Sequence, residues 1–271
     1  MRITTWNFLH GQVLDPTNTG SEKDALISSL NQLSSEVLAL QEVDWGLART
    51  GGSHQICDVA ELAGAQWWGF APAISGTPGV RWRKLKREEE VSHTNAKSGD
   101  GEFYGIGIIS HIPVKSWERF ELGKSPIGAP LAVSNEKGQL RPLYVKDEPR
   151  VALAAILENG WTVVNTHLSF VPLFNIFQFI KLTRWVKKLE QRHHTKVILL
   201  GDFNLPWGIP EKLSRWHRAT QGFSYPSWKP AISFDYIFLR EQELQYSKEI
   251  EIPTLPISDH KPLAIDISFE N

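Results

Sequence analysis

Apolar, β-branched runs recur along this chain, and the turn between two of them limits how they can pair. Val151–Leu157 and Trp161–Asn165 are joined only by Glu158-Asn159-Gly160. A connection this short closes an antiparallel hairpin and cannot make a parallel crossover. Similar runs lie at Val37–Leu40, Tyr104–Ile109, Lys196–Leu200, Phe234–Leu239 and Leu263–Phe269, so strands dominate. Helical spacing is clearest in Glu22–Leu33, Gln55–Ala63 and Asn175–Glu190, the last through Phe177, Ile180, Leu182, Trp185, Val186 and Leu189. Two mostly antiparallel sheets packed face to face, helices outside, would bury these apolar faces. The loops would then gather at one rim, where chemistry belongs.

The bulk properties remove several alternatives. A chain of 271 residues with 41% hydrophobic and 22% charged residues can build a sizeable core, and residues 1–271 are expected to form one domain. The formal charge of -1 gives no global positive field for polyanions. The basic cluster Arg81, Arg83, Lys84, Lys86 and Arg87 is followed at once by Glu88-Glu89-Glu90. Cys57 is the single cysteine, which excludes an intramolecular disulfide and points to a reducing, cytoplasmic compartment. The amino terminus reads directly as a strand and shows no export signal. Phe170–Ile180, interrupted by Pro172, Asn175 and Gln178, is far shorter than the about 20 apolar residues a bilayer requires. Gly76–Asp100 and Gly123–Pro142 read as long loops between strand patterns, and no internal repeat is present.

Polar groups cluster just past the apolar runs. Ile198-Leu199-Leu200-Gly201-Asp202-Phe203-Asn204 delivers an acid and an amide two residues apart, which extended backbone would place on one side. Alone, an Asp-x-Asn step is also an ordinary turn. Ser258-Asp259-His260 precedes the last apolar run, and by itself it also reads as a polar loop. Asn7, Gln41-Glu42 and Asn165-Thr166-His167 repeat the pattern. Asp235 lies within an apolar β run, where its burial is costly without a partner, and a histidine would serve.

Together these residues resemble the endonuclease/exonuclease/phosphatase superfamily of deoxyribonuclease-I-like phosphoesterases. The family's ordered motifs have counterparts here in Asn7, Gln41-Glu42, Thr166-His167-Leu168, Gly201-Asp202-Phe203-Asn204, Asp235-Tyr236-Ile237 and Ser258-Asp259-His260-Lys261-Pro262. The resemblance implies an α/β (α+β) fold, a four-layer α-β-β-α sandwich, and hydrolysis of a phosphate ester with Mg2+, for which Mn2+ can substitute. By position it implies Glu42 as principal metal ligand, with Asn7 and Asp259 beside the metal or its waters. Asp202 would orient or deprotonate the attacking water. Asn204, His167 and His260 would donate to phosphoryl oxygens, and Asp235 would hold His260. Arg150 stands where the family often carries an arginine, and it reads equally as a phosphate ligand or a strand-edge surface residue. His10, His54, His93, His111, His193, His194 and His217 match no motif and are expected on the surface or in the core.

The family spans nucleases, sphingomyelinases, inositol-polyphosphate phosphatases and deadenylases, so the resemblance fixes the reaction and leaves the substrate open. A phosphodiester is the favoured substrate. Alternatives are DNA or RNA, a sphingomyelin or phosphoinositide lipid, and a catalytically silent binding scaffold; no protein partner is implied. Tyr225-Pro226-Ser227-Trp228-Lys229-Pro230 resembles a stretch of generic bacterial hydrolases of this superfamily. Tyr225 and Trp228, with Trp207 and Trp216, would wall the phosphate, although packing would claim at least half of these rings. Phe170–Phe177 would give a lipid or membrane-surface contact beside His167, but the preferred reading is the covered start of a packed helix.

Overall fold

The computed structural model describes residues 1–15, 19–90, 92–95, 99–134 and 140–268. The first large sheet runs in the order β15 (Ser247–Ile250), β16 (Leu263–Ile267), β1 (Arg2–Asn7), β2 (Val37–Trp45), β6 (Phe103–Ser110), β3 (Trp67–Thr77) and β4 (Arg81–Arg83), with β5 (His93–Thr94) also on β3. The second runs β13 (His217–Arg218), β14 (Asp235–Leu239), β12 (Lys196–Asp202), β11 (Trp161–His167), β10 (Arg150–Leu157) and β7 (Val114–Gly123). Pairing is mostly antiparallel. The parallel pairs are β1 with β2 and β11 with β12.

Alternation along the strands builds the layers. Ile3, Val37, Ala39, Ile106 and Ile108 of the first sheet meet Val151, Leu153, Val163, Ile198, Leu200 and Ile237 of the second in one buried cluster between the sheets. On the outer side of the first sheet, Leu38, Leu40 and Phe70 pack against Leu30 and Leu33 of α1 (Glu22–Leu33) and Ile56 and Val59 of α2 (Gln55–Ala63). The outer side of the second sheet is covered by α3 (Phe174–His193) through Phe179, Leu182, Val186 and Leu189. The order helix, sheet, sheet, helix is the expected four-layer sandwich. Short helices α4 (Ile209–Lys212) and α5 (Glu241–Leu244) sit in connections.

Local chemistry sets the helix limits. Ser21 caps α1 by accepting from the Asp24 N–H at 3.1 Å, and Asp24 accepts from the Ser21 N–H at 3.2 Å, a reciprocal box. Gly64, at φ +69, ends α2 in the left-handed conformation that glycine adopts without penalty.

Three expectations change. The Gly76–Asp100 region contains β4 and β5, and Gly123–Pro142 contains β8 (Ala129–Ser134) and the start of β9 (Leu140–Val145), which form a hairpin of their own. β4 and β5 are short and polar and become strands by pairing with β3, whereas β8 and β9 are largely apolar runs, each interrupted by a proline. The buried stripe of α3 keeps Leu182, Trp185, Val186 and Leu189 of the one read in sequence and adds Phe179, but Phe177 is 59% exposed and Ile180 only half-buried. With Leu173 at 78% exposed, the start of that helix is only half covered. The final strand ends at Ile267, and Phe269, included in the sequence reading, lies outside the described residues.

Candidate active site

Strand direction gathers the polar residues. Asn7 faces Gln41 across β1 and β2, His167 faces Asp202 across β11 and β12, and Asp202 faces Asp235 across β12 and β14. Because β16 runs antiparallel to β1, the Ser258–His260 segment that enters it lies at the same rim. Six strand ends, three from each sheet, therefore open on one place.

The backbone is strained there. Among non-glycine residues, Glu42, Asn204 and Ser258 have φ of 56, 48 and 69, and Leu9, His10, Leu173 and Trp207 are left-handed in the adjoining loops. The other such residues, Ser34 and His194, end helices, where this conformation is ordinary. Each left-handed side chain costs on the order of 1–3 kcal/mol and marks positions fixed by their surroundings. At Glu42 the ladder between β2 and β6 skips between Leu40 and Val43, a bulge that turns the carboxylate into the site. Gly201 is required by close approach, since a Cβ there would lie 2.0 Å from the Thr166 carbonyl oxygen.

In the half built by the first sheet, the Asn7 amide nitrogen donates to Glu42 Oε1 and to Asp202 Oδ2, each at 3.0 Å. The Asn7 amide oxygen accepts from the Leu9 N–H at 3.2 Å. Burial raises the Glu42 carboxyl to about 7, against the lowering effect of the Asn7 hydrogen bond, and the nearby Asp259 and Asp202 charges add to the rise. Burial also raises Asp259, whose Oδ1 is buried without a hydrogen-bond partner. Among the described residues no lysine or arginine pairs with Glu42 or Asp259. A set of oxygen donors short of positive charge fits a hard divalent cation.

The acids of the second sheet take their counter-charge from His260, which the segment entering β16 of the first sheet delivers. His260 Nδ1 and Asp235 Oδ2 are 2.7 Å apart, both residues buried. Burial alone would lower His260, but Asp235 foremost, with Asp202 and Asp259, raises it to about 10, so the ring is charged at neutral pH. Asp202 Oδ1 accepts from the Asn204 N–H at 2.9 Å, while its Oδ2 lies 3.7 Å from His167 Nε2 and 4.0 Å from His260 Nε2. Burial first, then Asp235, raises Asp202 to about 6. Burial and Arg150 hold His167 well below its ordinary value, so it is neutral. The Asn204 side chain donates to the Leu168 carbonyl at 3.0 Å and has a second amide hydrogen to offer. Asp202, Asp235 and His260 offer ligand atoms within 4.8 Å of one another. The Asp235 to His260 hydrogen bond already engages two of these three groups.

Residues 4–260 match the Endonuclease/Exonuclease/phosphatase family. This chain belongs to that family. Its fold is also that of solved structures of low sequence identity. A functionally unknown conserved protein from Enterococcus faecalis V583 superposes with a TM-score of 0.58 at 17% identity, covering 100% of both chains. Mannosyl-6-phosphatase Bt3783 of Bacteroides thetaiotaomicron VPI-5482 gives 0.57 at 14% identity, covering 99% of this chain and 100% of its own. The human Nocturnin catalytic domain gives 0.56 at 17% identity, covering 100% of this chain and 93% of its own. No curated protein matches the sequence.

Within this family member, Arg150 resolves in favour of the interior. It is 3% exposed, with Nη2 2.7 Å from Glu148 Oε1, while Nε and Nη1 have no partner. Beside it a cavity of about 10 Å³, lined by Tyr104, Arg150 and His167 among others, has room for one water-sized atom. The sequence reading did not single out Tyr104. Its only signal was a hydroxyl-bearing aromatic at the start of an apolar strand. Tyr225 sits 5.0 Å from the His260 ring, and Trp228, 65% exposed, follows on a loop pinned by Ser227 to the carbonyls of Ser258 and Asp259. Trp207 is 76% exposed, whereas Trp216 is buried beneath Arg240 and takes no part in a wall. His54 and His93 stack on Trp45 at 4.0 and 4.6 Å, a packing role.

Proposed function

We propose that this chain is a divalent-metal-dependent phosphoesterase, with Mg2+ as the working ion and Mn2+ a substitute, and that residues 1–271 act as one catalytic unit. The observation that carries the reading is the division of charge at the rim. Glu42 and Asp259 converge with no ion pair of their own and feel His260 only through space, while Asp202 and Asp235 hold the charged His260 at close range. Glu42, Asn7 and Asp259 would hold the cation, which when bound neutralises phosphate charge.

The residues of the chain then divide the remaining work. Asp202, raised to about 6, is ionised at neutral pH yet basic enough to take a proton from the attacking water. His260, charged through Asp235, and neutral His167 donate to phosphoryl oxygens, as does the free Asn204 amide hydrogen. Arg150 offers the partnerless Nε and Nη1 from the cavity side. Asn7, bonded to both Glu42 and Asp202, sets the distance between metal ligand and base.

A phosphodiester is the favoured ester. The net charge of -1, and the bidentate neutralisation of Arg83 by Glu89 at 2.7 Å, speak against a long nucleic acid track. The exposed Leu173 and Phe177 beside the rim keep a lipid phosphoester as the second reading. No described helix is long and apolar enough to cross a membrane, and the lone Cys57 agrees with a cytoplasmic setting.

The test is hydrolysis measured with Mg2+ across an aryl phosphodiester, an aryl phosphomonoester, abasic and intact DNA, RNA, phosphoinositides and sphingomyelin. Cleavage of one class, abolished by chelation and restored by Mg2+, is expected. Undiminished cleavage after exhaustive chelation overturns the metal assignment, and no cleavage of any ester with either ion leaves the silent scaffold as the better reading.

A further inference from the structure

Two polar side chains lie completely buried between the sheets, directly beneath the site. Gln41 and Asn165 are each 0% exposed, and the Gln41 amide nitrogen donates to Asn165 Oδ1 at 2.7 Å. Gln41 precedes Glu42 in β2 of the first sheet, and Asn165 stands two residues before His167 in β11 of the second. Asn165 also donates to the carbonyl oxygens of Leu40 and Gly107, both at 2.8 Å. Those two residues are the last register partners before the ladder skips to Val43.

The Asn165 side chain therefore reaches from one sheet into the bulge of the other and supplies donors where the β2 to β6 ladder is interrupted. Gln41 adds a bond to Thr5 Oγ1 at 3.1 Å, tying the bulge to β1, two residues before Asn7. Gln41 Oε1 is buried with no partner, a cost that an apolar pair of similar volume would avoid. The residue that follows Gln41 is Glu42, held at φ 56 in the bulge that the pair brackets.

We propose that Gln41 and Asn165 are positioning residues, which lock the bulge that turns Glu42 into the site and register it against His167 and Asp202 of the other sheet. The inference rests on the metal-ligand role proposed above for Glu42. Interactions of this kind, one step removed from a metal ligand, are worth about 10–100-fold in metal affinity or activity when removed.

The double variant Gln41→Leu with Asn165→Leu replaces both partners by apolar side chains and is expected to keep a cooperative thermal transition. In its crystal structure the Glu42 carboxylate should leave its 3.0 Å contact with the Asn7 amide, and φ of Glu42 should move out of the left-handed region. Calorimetric titration with Mn2+ should show affinity weakened by about 10–100-fold, and turnover at saturating metal should fall by a similar factor. Gln41→Met, which leaves the two carbonyl bonds of Asn165 in place, should show the same changes to a smaller degree and guards against a double variant that fails to fold. Glu42 unmoved in both variants, with Mn2+ affinity unchanged, overturns the proposal. A wild-type protein that binds no divalent ion overturns the metal reading instead, and the crystallographic comparison still judges the pair.

Discussion

The two halves of the site use the same residue types and place them in opposite electrostatic conditions. In the first-sheet half, Glu42 and Asp259 are driven toward protonation by burial, form no ion pair, and are lowered by His260 only through space. In the second-sheet half, Asp235 is bonded to His260 at 2.7 Å, and the imidazolium beside it moderates the rise at Asp202. A carboxylate without a counter-charge is an invitation to a cation; a carboxylate with an imidazolium is a device for holding a proton in place. The contrast supports the division of labour proposed above, cation binding in one half and proton handling in the other, and each half can be broken separately.

The largest effect should come from the base. Asp202→Asn preserves shape but cannot accept the water proton, so turnover should fall by about 10²–10⁴-fold while substrate binding is largely kept. Steady-state kinetics on the screened substrate check this. Near-normal turnover in a folded Asp202→Asn protein would reduce the segment to a turn.

Glu42→Gln tests the other half through stability as well as rate. The folded-state pKa of about 7 lies above the ordinary 4.5, so ionising Glu42 destabilises the metal-free fold. That penalty is absent below about 4.5, grows through about 7 and is constant above it. Metal-free Glu42→Gln should therefore melt higher than wild type above pH 7, and equally at low pH. It should also lose most of the thermal gain that wild type shows on adding Mg2+. Melting curves across pH, with and without the ion, decide the matter.

Asp235→Asn sharpens the comparison by removing the counter-charge of His260. The folded pKa of His260 is raised from 6.5 to about 10, so its charged form stabilises the fold fully below 6.5, and that contribution fades as pH rises toward 10. The variant should lose this stability at neutral pH. The alkaline limb of its pH–rate profile should move to lower pH, by an amount that NMR titration of the His260 ring can match. An unmoved limb would show that protonated His260 is not the donor.

The smallest effect is expected outside both halves. Trp228→Ala removes an indole that is 65% exposed, so melting should be unchanged and only the Michaelis constant should rise, by about tenfold at most for one lost stacking contact. A fall in turnover at saturating substrate would instead move Trp228 into the catalytic group.

Much of the arrangement was legible in the chain because strand ends are local. An apolar run followed by a polar residue places that residue at a sheet rim, as with Asn7, His167 and Asp202, and the helix limits of α1 and α2 coincide with the periodicity read from sequence. The hairpin at β4 was missed because Arg81-Trp82-Arg83 is short and polar, and that of β8 with β9 because Pro130 and Pro142 interrupt runs that are otherwise largely apolar. Phe177 was assigned to the wrong face: at about 3.6 residues per turn it does not share the side of the helix that buries Leu182, Trp185, Val186 and Leu189.

The sequence alone determined which functional groups this protein owns and the order in which the strands deliver them, because side-chain alternation and motif spacing are properties of the chain. Only the tertiary structure decided their electrical state and company. Arg150 became an interior cation with two partnerless nitrogens, Trp216 joined the core, and Gln41 met Asn165 across 124 positions of sequence. Burial and through-space pairing depend on which sheet faces which, and no local pattern carries that information.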